Sequence, residues 1–181
     1  VETHLSATLL IFAIGASLMV VGGIKLRYVF GGLGAGVALG AGAILTGVVD
    51  YGSSRIQSWI DPWSDPTGAG WQTIQSLLAI GSGGVFGAGL GGSKQKYLWV
   101  PEPHNDFIFA IVCEELGFVG VALVLGLFAL FIWRGFKIAR HAPDKFSSLT
   151  AFGITMLITV QVLMNVAVVT SSMPVTGISL P

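Results

Sequence analysis

The stretch PEPHNDFIFAIVCEELG, residues 101–117, sets His104, Asp106, Glu114 and Glu115 at the mouth of an apolar run. A carboxylate so placed can serve as a general base if a hydroxyl is delivered to it at a membrane surface. Pro101 and Pro103 flank Glu102 and restrict the chain as it arrives, which limits where the Asp106 carboxylate points. The plainer reading of Asp106 is a helix N-cap or first-turn acid, favourable at the positive end of a helix. Glu114 and Glu115 would follow about 12–14 Å further along such a helix. They would lie ~80° and ~180° around the axis from Asp106, so one of them can share its cavity and both cannot. A carboxylate inside an apolar helix must be protonated, paired or wetted, which makes it a functional candidate. Arg55, Lys94 and Lys96 are the basic residues of the same connection and hence the nearest partners. For the two glutamates, a structural ion pair that braces the helix to the loop is the plainer role.

Other constellations carry less. His104 has no second histidine near it in sequence, so it reads as a hydrogen-bonding residue at the loop–helix junction, not a zinc ligand. Cys113, the single cysteine, excludes a disulfide framework and a cysteine-based metal cluster. Gly87 to Gly92 satisfies G-x-G-x-x-G, but no strand precedes it and no βαβ unit surrounds it. Gly91-Gly92-Ser93-Lys94 lacks the residue order of a phosphate-binding loop. A turn is the expectation; the alternative is that its N–H groups, with Lys94 and Lys96, approach an anionic lipid headgroup.

The elements that must position these residues are apolar helices. Of the 181 residues, 53% are hydrophobic and 10% charged, against about 25% charged in an ordinary soluble domain. Residues 3–24, 28–49, 116–133 and 146–181 contain no Asp, Glu, Lys or Arg. Each window approaches or exceeds the roughly 20 residues of a membrane span. Helices are expected near 6–23, 28–47, 106–134 and 147–170. The fold class is an all-α polytopic membrane protein, one transmembrane domain over 1–181, read as a piece of a larger bundle. Zero net charge leaves no nucleic-acid footprint.

Lys25, Arg27, Arg134, Lys137, Arg140 and Lys145 fall in two short connections, and short basic connections stay in the cytoplasm. The long connection 48–105 is then expected outside, facing periplasm or cell exterior. Its Trp59, Trp63 and Trp71, among paired Asp-Pro steps, suit the membrane–water interface. TIQSLLAIGSGGVFGAGL reads as a short interfacial or re-entrant segment of about 10–14 residues, not a span. Gly32, Gly36 and Gly40 share one helix face; close packing within the bundle is the expectation and a dimer interface the alternative. Gln161 and Asn165, also on one face, are expected to hydrogen-bond between helices.

RIQSWIDPWSDPTGAGWQTIQSLLAIGSGGVFGAGLGGSKQK, PEPHNDFIFAIVCEELGFVG and SSMPVTGISLP resemble, in wording, order and spacing, the SEDS family of FtsW, RodA and SpoVE. P-E-P-H-N-D with S-S-M-P-V-T-G looks closer to the FtsW/SpoVE branch than to RodA. The resemblance implies the C-terminal part of a peptidoglycan glycosyltransferase of the bacterial cytoplasmic membrane. It would polymerise lipid II at the outer face beside a penicillin-binding transpeptidase, lengthening an undecaprenyl-pyrophosphoryl glycan during division or sporulation. The family motif P-E-x-H-T-D-F-I-F puts its essential acid at Asp106, with Asn105 where the family has Thr. Thr3-His4-Leu5-Ser6-Ala7-Thr8 stands where the family commonly has Q-P-D-L-G-T, and Thr176 where some members carry a lysine. No role for those family residues carries over. Charge on the leaving pyrophosphate would be offset by Arg55, Lys94 and Lys96, by a divalent cation such as Mg or Mn, or by oriented backbone donors. Glu102 and His104 would neighbour the base. A lipid II flippase and a non-enzymatic scaffold for the transpeptidase are the rival functions.

Overall fold

The computed structural model of the chain describes residues 5–45, 51–68, 70–93 and 107–181. Among these, all regular structure is helical. Helix α1 spans Leu5–Val21, α2 Leu26–Leu45, α3 Tyr51–Ile60, α4 Trp71–Gly83, α5 Ile108–Arg140 and α6 Lys145–Val169. Helices α5 and α6, with 33 and 25 residues, are long and apolar enough to cross a membrane. Along α5, Phe118, Leu123, Leu127, Leu130, Phe131 and Trp133 stand more than half exposed. So long an apolar surface would not persist in water and suits a helix set among lipid or other membrane helices.

Four apolar windows thus become helices close to their expected bounds, with one overrun. Residues 134–146 were expected as a polar connection, yet α5 continues to Arg140. Gly135 is tolerated inside the helix because it packs against Thr155, no proline intervenes before Pro143, and Lys137 and Arg140 sit in the last turn, where the helix dipole favours cations. Arg134 and Lys137 also lie over the Trp133 ring, 5.7 and 5.4 Å from its centroid, so their stems cover apolar surface. Asp144 then caps α6, accepting from Ser147 N and Ser147 Oγ at 2.8 Å each. Those two donors hold its carboxyl below the ordinary aspartate range.

The long connection is more structured than a single short segment. It contains α3 and α4, joined by two aspartate-capped turns. Asp61 accepts from Trp63 N at 3.2 Å and opens a 3-10 turn at Pro62–Ser64, while Asp65 accepts from Gly68 N at 3.0 Å. The paired Asp-Pro steps are therefore structural turns.

Helix association follows small residues, as expected where lipid leaves packing to do the work of burial. A Cβ at Gly135 would collide with Thr155 of α6, and one at Gly83 with the carbonyl of Cys113 in α5. Leu18, near the end of α1, sits 3.4 Å from the Cβ position of Gly153 in the first half of α6. The Lys25/Arg27 turn and the α5–α6 turn therefore share one end of the bundle. On the glycine face of α2, Gly36 meets Phe12 of α1 at 3.9 Å and Gly32 meets nothing within 4 Å among the described residues, while the surroundings of Gly40 lie outside them. Asn165 is fully buried, and its described partner is the non-helical tail: Nδ2 donates to Ile178 O at 2.9 Å. Asn165 thus ties α6 to the tail.

Candidate active site

Asp106, Glu102, His104, Lys94 and Lys96 lie outside the described residues, as does the side chain of Arg55, whose backbone is in α3. What is described is the frame on both sides of residues 94–106. On one side stands Phe107, the N-cap residue of α5, 1% exposed and without a side-chain capping bond. The first turn of α5 contains no acid. Asp106 itself, and with it the N-cap or first-turn reading, lies outside the described residues.

Phe107 packs with Phe109, Ala110 and Cys113 of α5, Ala79 of α4, and Val168 and Val169 of α6. Val175 and Leu180 of the tail close over this cluster. Three helices and the tail thus meet beside the position that precedes Phe107. Hydrogen bonds tie the same place together from the other elements. Ser76 Oγ of α4, 1% exposed, donates to Val169 O at 2.7 Å. Trp59 Nε1 of α3 donates to Ser171 O at 2.8 Å.

Ser171 is the one non-glycine residue with positive φ (56°) among the described residues. It follows the C-cap Thr170 of α6. Ser172 N donates back to Ala167 O at 2.8 Å and Ser171 N to Val168 O at 2.9 Å, the paired bonds of a Schellman termination. A serine in the place that glycine normally takes carries strain, and such strain tends to collect at functional sites. Here it redirects the chain so that SSMPVTG folds against the Phe107 cluster.

On the other side of 94–106 lies the glycine-rich segment, and its role is structural. Helix α5 is interrupted at Gly117, whose φ of 62° and ψ of −168° are not helical. An interrupted helix leaves carbonyls free before the break and N–H groups free after it. Residues 84–89 supply the missing partners. Ala88 N and Gly89 N donate to the carbonyls of Glu114 and Glu115 at 2.9 and 3.0 Å. Phe118 N and Val119 N donate to the carbonyls of Gly84 and Val85 at 3.0 and 3.2 Å. A Cβ at Gly87 or at Gly117 would strike the opposing backbone, so both must be glycine. With Ala88 N and Gly89 N committed to α5, the anion-cradle alternative for this segment loses those donors.

The two glutamates part company at this junction. Glu114 is 3% exposed and accepts at Oε2 from the Ser93 hydroxyl, itself 2% exposed. Glu115 is half-buried, with Oε1 enclosed and without a hydrogen-bond partner among the described residues. Sequence reasoning did not reach Ser76, Ser93 or Ser171. Ser76, Ala79 and Gly83 share a face of α4 that reads as a close-packing stripe, whereas nothing in the spacing marks Ser93. Among the described residues, no group of three or more His, Cys, Asp or Glu side chains could hold a metal ion.

A family model described as "Cell cycle protein", which takes in FtsW, RodA and SpoVE, matches residues 1–181. The chain belongs to the FtsW/RodA/SpoVE family. Among curated FtsW/RodA/SpoVE relatives, stage V sporulation protein E of Bacillus subtilis (strain 168) is 55% identical over 131 residues, 72% of this chain and 36% of that protein. A probable peptidoglycan glycosyltransferase FtsW of Geobacter sp. (strain M18) is 42% identical over 181 residues, 99% of this chain and 48% of that protein. Both names fall on the FtsW/SpoVE side, where the motif wording pointed. The fold is similar, with a TM-score of 0.72 at 28% identity, to a solved chain described under "Structural coordination of polymerization and crosslinking by a peptidoglycan synthase complex". That likeness covers 96% of this chain and 47% of the other. The chain spans about half the length, or less, of the curated relatives it matches. As a family member with long apolar helices, it is a protein of the cytoplasmic membrane, a fragment of a membrane helix bundle.

Proposed function

We propose that the chain carries the catalytic segment of a peptidoglycan glycosyltransferase that polymerises lipid II. The observation that carries this reading is the similarity, over 99% of this chain and 48% of the other, to a protein named as a probable peptidoglycan glycosyltransferase. The convergence of α4, α5, α6 and the tail on Phe107, next to Asp106, supports it.

In this reading the chain is multi-pass. The Lys25/Arg27 turn and the α5–α6 turn face the cytoplasm, and residues 48–105 face outward. Supporting that arrangement, the two basic turns share one bundle end, while Trp59 bonds at the far end of α6. The segment around α4 and the glycine-rich turn is re-entrant. Backbone that leaves helical geometry at membrane depth must be satisfied within the protein. The four bonds across the Gly117 break meet that demand for the groups they join.

Asp106 acts as general base. It takes the proton from the 4-hydroxyl of the GlcNAc of an incoming lipid II. That oxygen attacks the anomeric carbon of the MurNAc at the reducing end of the growing glycan, with inversion, and undecaprenyl pyrophosphate leaves. The leaving group is already competent, so the second carboxylic acid of a glycosidase is not required. Arg55, Lys94 and Lys96 offset the pyrophosphate charge, and Glu102 and His104 border the base. A penicillin-binding transpeptidase is the partner that crosslinks the product.

Reconstitution tests this. Purified full-length protein with its transpeptidase partner is given labelled lipid II in vesicles, and polymer and translocation are followed in parallel. Glycan polymer is expected. Translocation without polymer would make the protein a flippase, and neither activity would leave a scaffold.

A further inference from the structure

The end of α5 remote from Phe107 packs on α6 along one side. Gly135 meets Thr155, the Phe136 and Phe152 rings stand 5.4 Å apart, and Ser148 Oγ donates to Ala139 O at 2.7 Å. On roughly the opposite side, in steps of about 100° per residue, Leu123, Leu127, Leu130, Arg134 and Lys137 share an arc of about 80°. The three leucines are each more than half exposed, and both cations are exposed as well. An apolar stripe thus runs along α5 and ends in two positive charges, about 6 and 10 Å beyond Leu130. Trp133, also more than half exposed, stands where the stripe changes from apolar to charged.

The two cations are held together without a counterion. Arg134 and Lys137 both lie over the Trp133 ring, 5.7 and 5.4 Å from its centroid. Among the described residues, neither pairs with a carboxylate. Asp144, the one acid of the α5–α6 turn, is turned onto Ser147 N and Ser147 Oγ. A neighbouring apolar helix laid along the leucines would have to bury or neutralise both charges. A phospholipid offers the same chemistry in the same order: acyl chains for the leucines, an interfacial level for the indole, and a phosphate for the cations. A choline headgroup brings its own cation beside that phosphate, whereas an anionic headgroup does not.

We propose that Arg134 and Lys137, set over Trp133, bind the phosphate of an anionic phospholipid whose acyl chains lie along Leu123, Leu127 and Leu130. The site rests on the membrane helices alone and is independent of the polymerase reading.

The test uses the full-length protein in mixed micelles holding equal amounts of phosphatidylglycerol and phosphatidylcholine. Native mass spectrometry counts the lipids that stay bound, with thermal unfolding of each variant alongside. Wild type is expected to retain phosphatidylglycerol in preference. Arg134→Gln and Lys137→Gln are each expected to lower that preference about fivefold, and the double variant about 20- to 30-fold, at an unchanged unfolding temperature. Arg134→Lys keeps the charge and is expected to keep most of the preference. Lys25→Gln combined with Arg27→Gln removes two cations from the same bundle end but outside the stripe. It is expected to change the preference by less than about twofold.

No preference in wild type would overturn the site. So would an unchanged preference in the Arg134→Gln/Lys137→Gln double variant, which would mean that protein covers the stripe. An equal fall in the Lys25→Gln/Arg27→Gln variant would reduce the effect to the diffuse charge of that bundle end and overturn the site as well. Soluble sn-glycerol 3-phosphate is expected not to displace the lipid at matched concentration. Displacement would show that a free phosphate ester suffices without the leucines, and would overturn the assignment to a lipid.

Discussion

Single side chains at the ends of helices carry much of the order near the proposed site. The Trp59 indole reaches from α3 to Ser171 O, the carbonyl of the strained residue that turns the chain into the tail. Trp59→Phe keeps the ring and removes the donor. It is expected to cost about 0.5–1.5 kcal/mol of stability, read as a lowered unfolding temperature in detergent. Asp144 gives a second, pH-dependent case at the other end of α6. Its carboxyl is held below the ordinary range by Ser147 N and then by Ser147 Oγ. A lowered folded-state pKa adds stability that is fully present above the unfolded value of about 3.9 and is lost as pH falls through the folded value. Wild type is therefore expected to be more stable than Asp144→Ala at neutral pH, with the difference closing in acid. Unfolding curves taken between pH 7 and pH 3 would show it. The Trp59 bond was not legible from spacing: Trp59 read as an interface aromatic, and its partner lies 112 residues away. A long-range partner leaves no local pattern.

At the scale of elements, hydrophobic runs were legible and interruptions were not. The windows 3–24, 28–49, 116–133 and 146–181 became α1, α2, α5 and α6, because apolar helices satisfy their own backbone. Gly117 could not be told from the other glycines of an apolar run, since its signal is φ, and φ follows from the turn at 84–89 docking against it. The same ambiguity hides the difference between Gly81 and Gly83, two positions apart in α4. Gly81 meets nothing within 4 Å, whereas a Cβ at Gly83 would run into the Cys113 carbonyl and lie 3.0 Å from Glu114 Cα. Gly81→Ala is expected to stabilise the protein by roughly 0.5–1 kcal/mol through helix propensity. Gly83→Ala is expected to destabilise it by about 1–3 kcal/mol by wedging α4 from α5. Opposite signs in the two unfolding temperatures would confirm that the small-residue face, and not helix propensity, sets this contact. The overrun of α5 to Arg140 has a physical cause of the same kind: basic residues near a helix C-terminus prolong it, although in sequence they look like loop.

For the whole molecule, the site is a meeting place more than a pocket cut into one element. Helices α4, α5 and α6 and the tail all contribute to the cluster around Phe107, and the sequence segments involved are widely separated. The motif words that identify the family, from the tryptophan-rich connection to SSMPVTG, fall on these converging pieces. The resemblance proposes the site at Asp106, outside the described residues, while the contacts of Ser76, Ser93, Glu114 and Ser171 emerged only in three dimensions. The central claim is that Asp106 is the base that activates the acceptor hydroxyl. Its most direct test is the initial rate of lipid II polymerisation by Asp106→Asn, in the full-length protein with its partner and at matched unfolding temperature. Removal of a general base is expected to lower the rate by about 100-fold or more. Polymerisation by the folded variant at the wild-type rate would contradict the assignment.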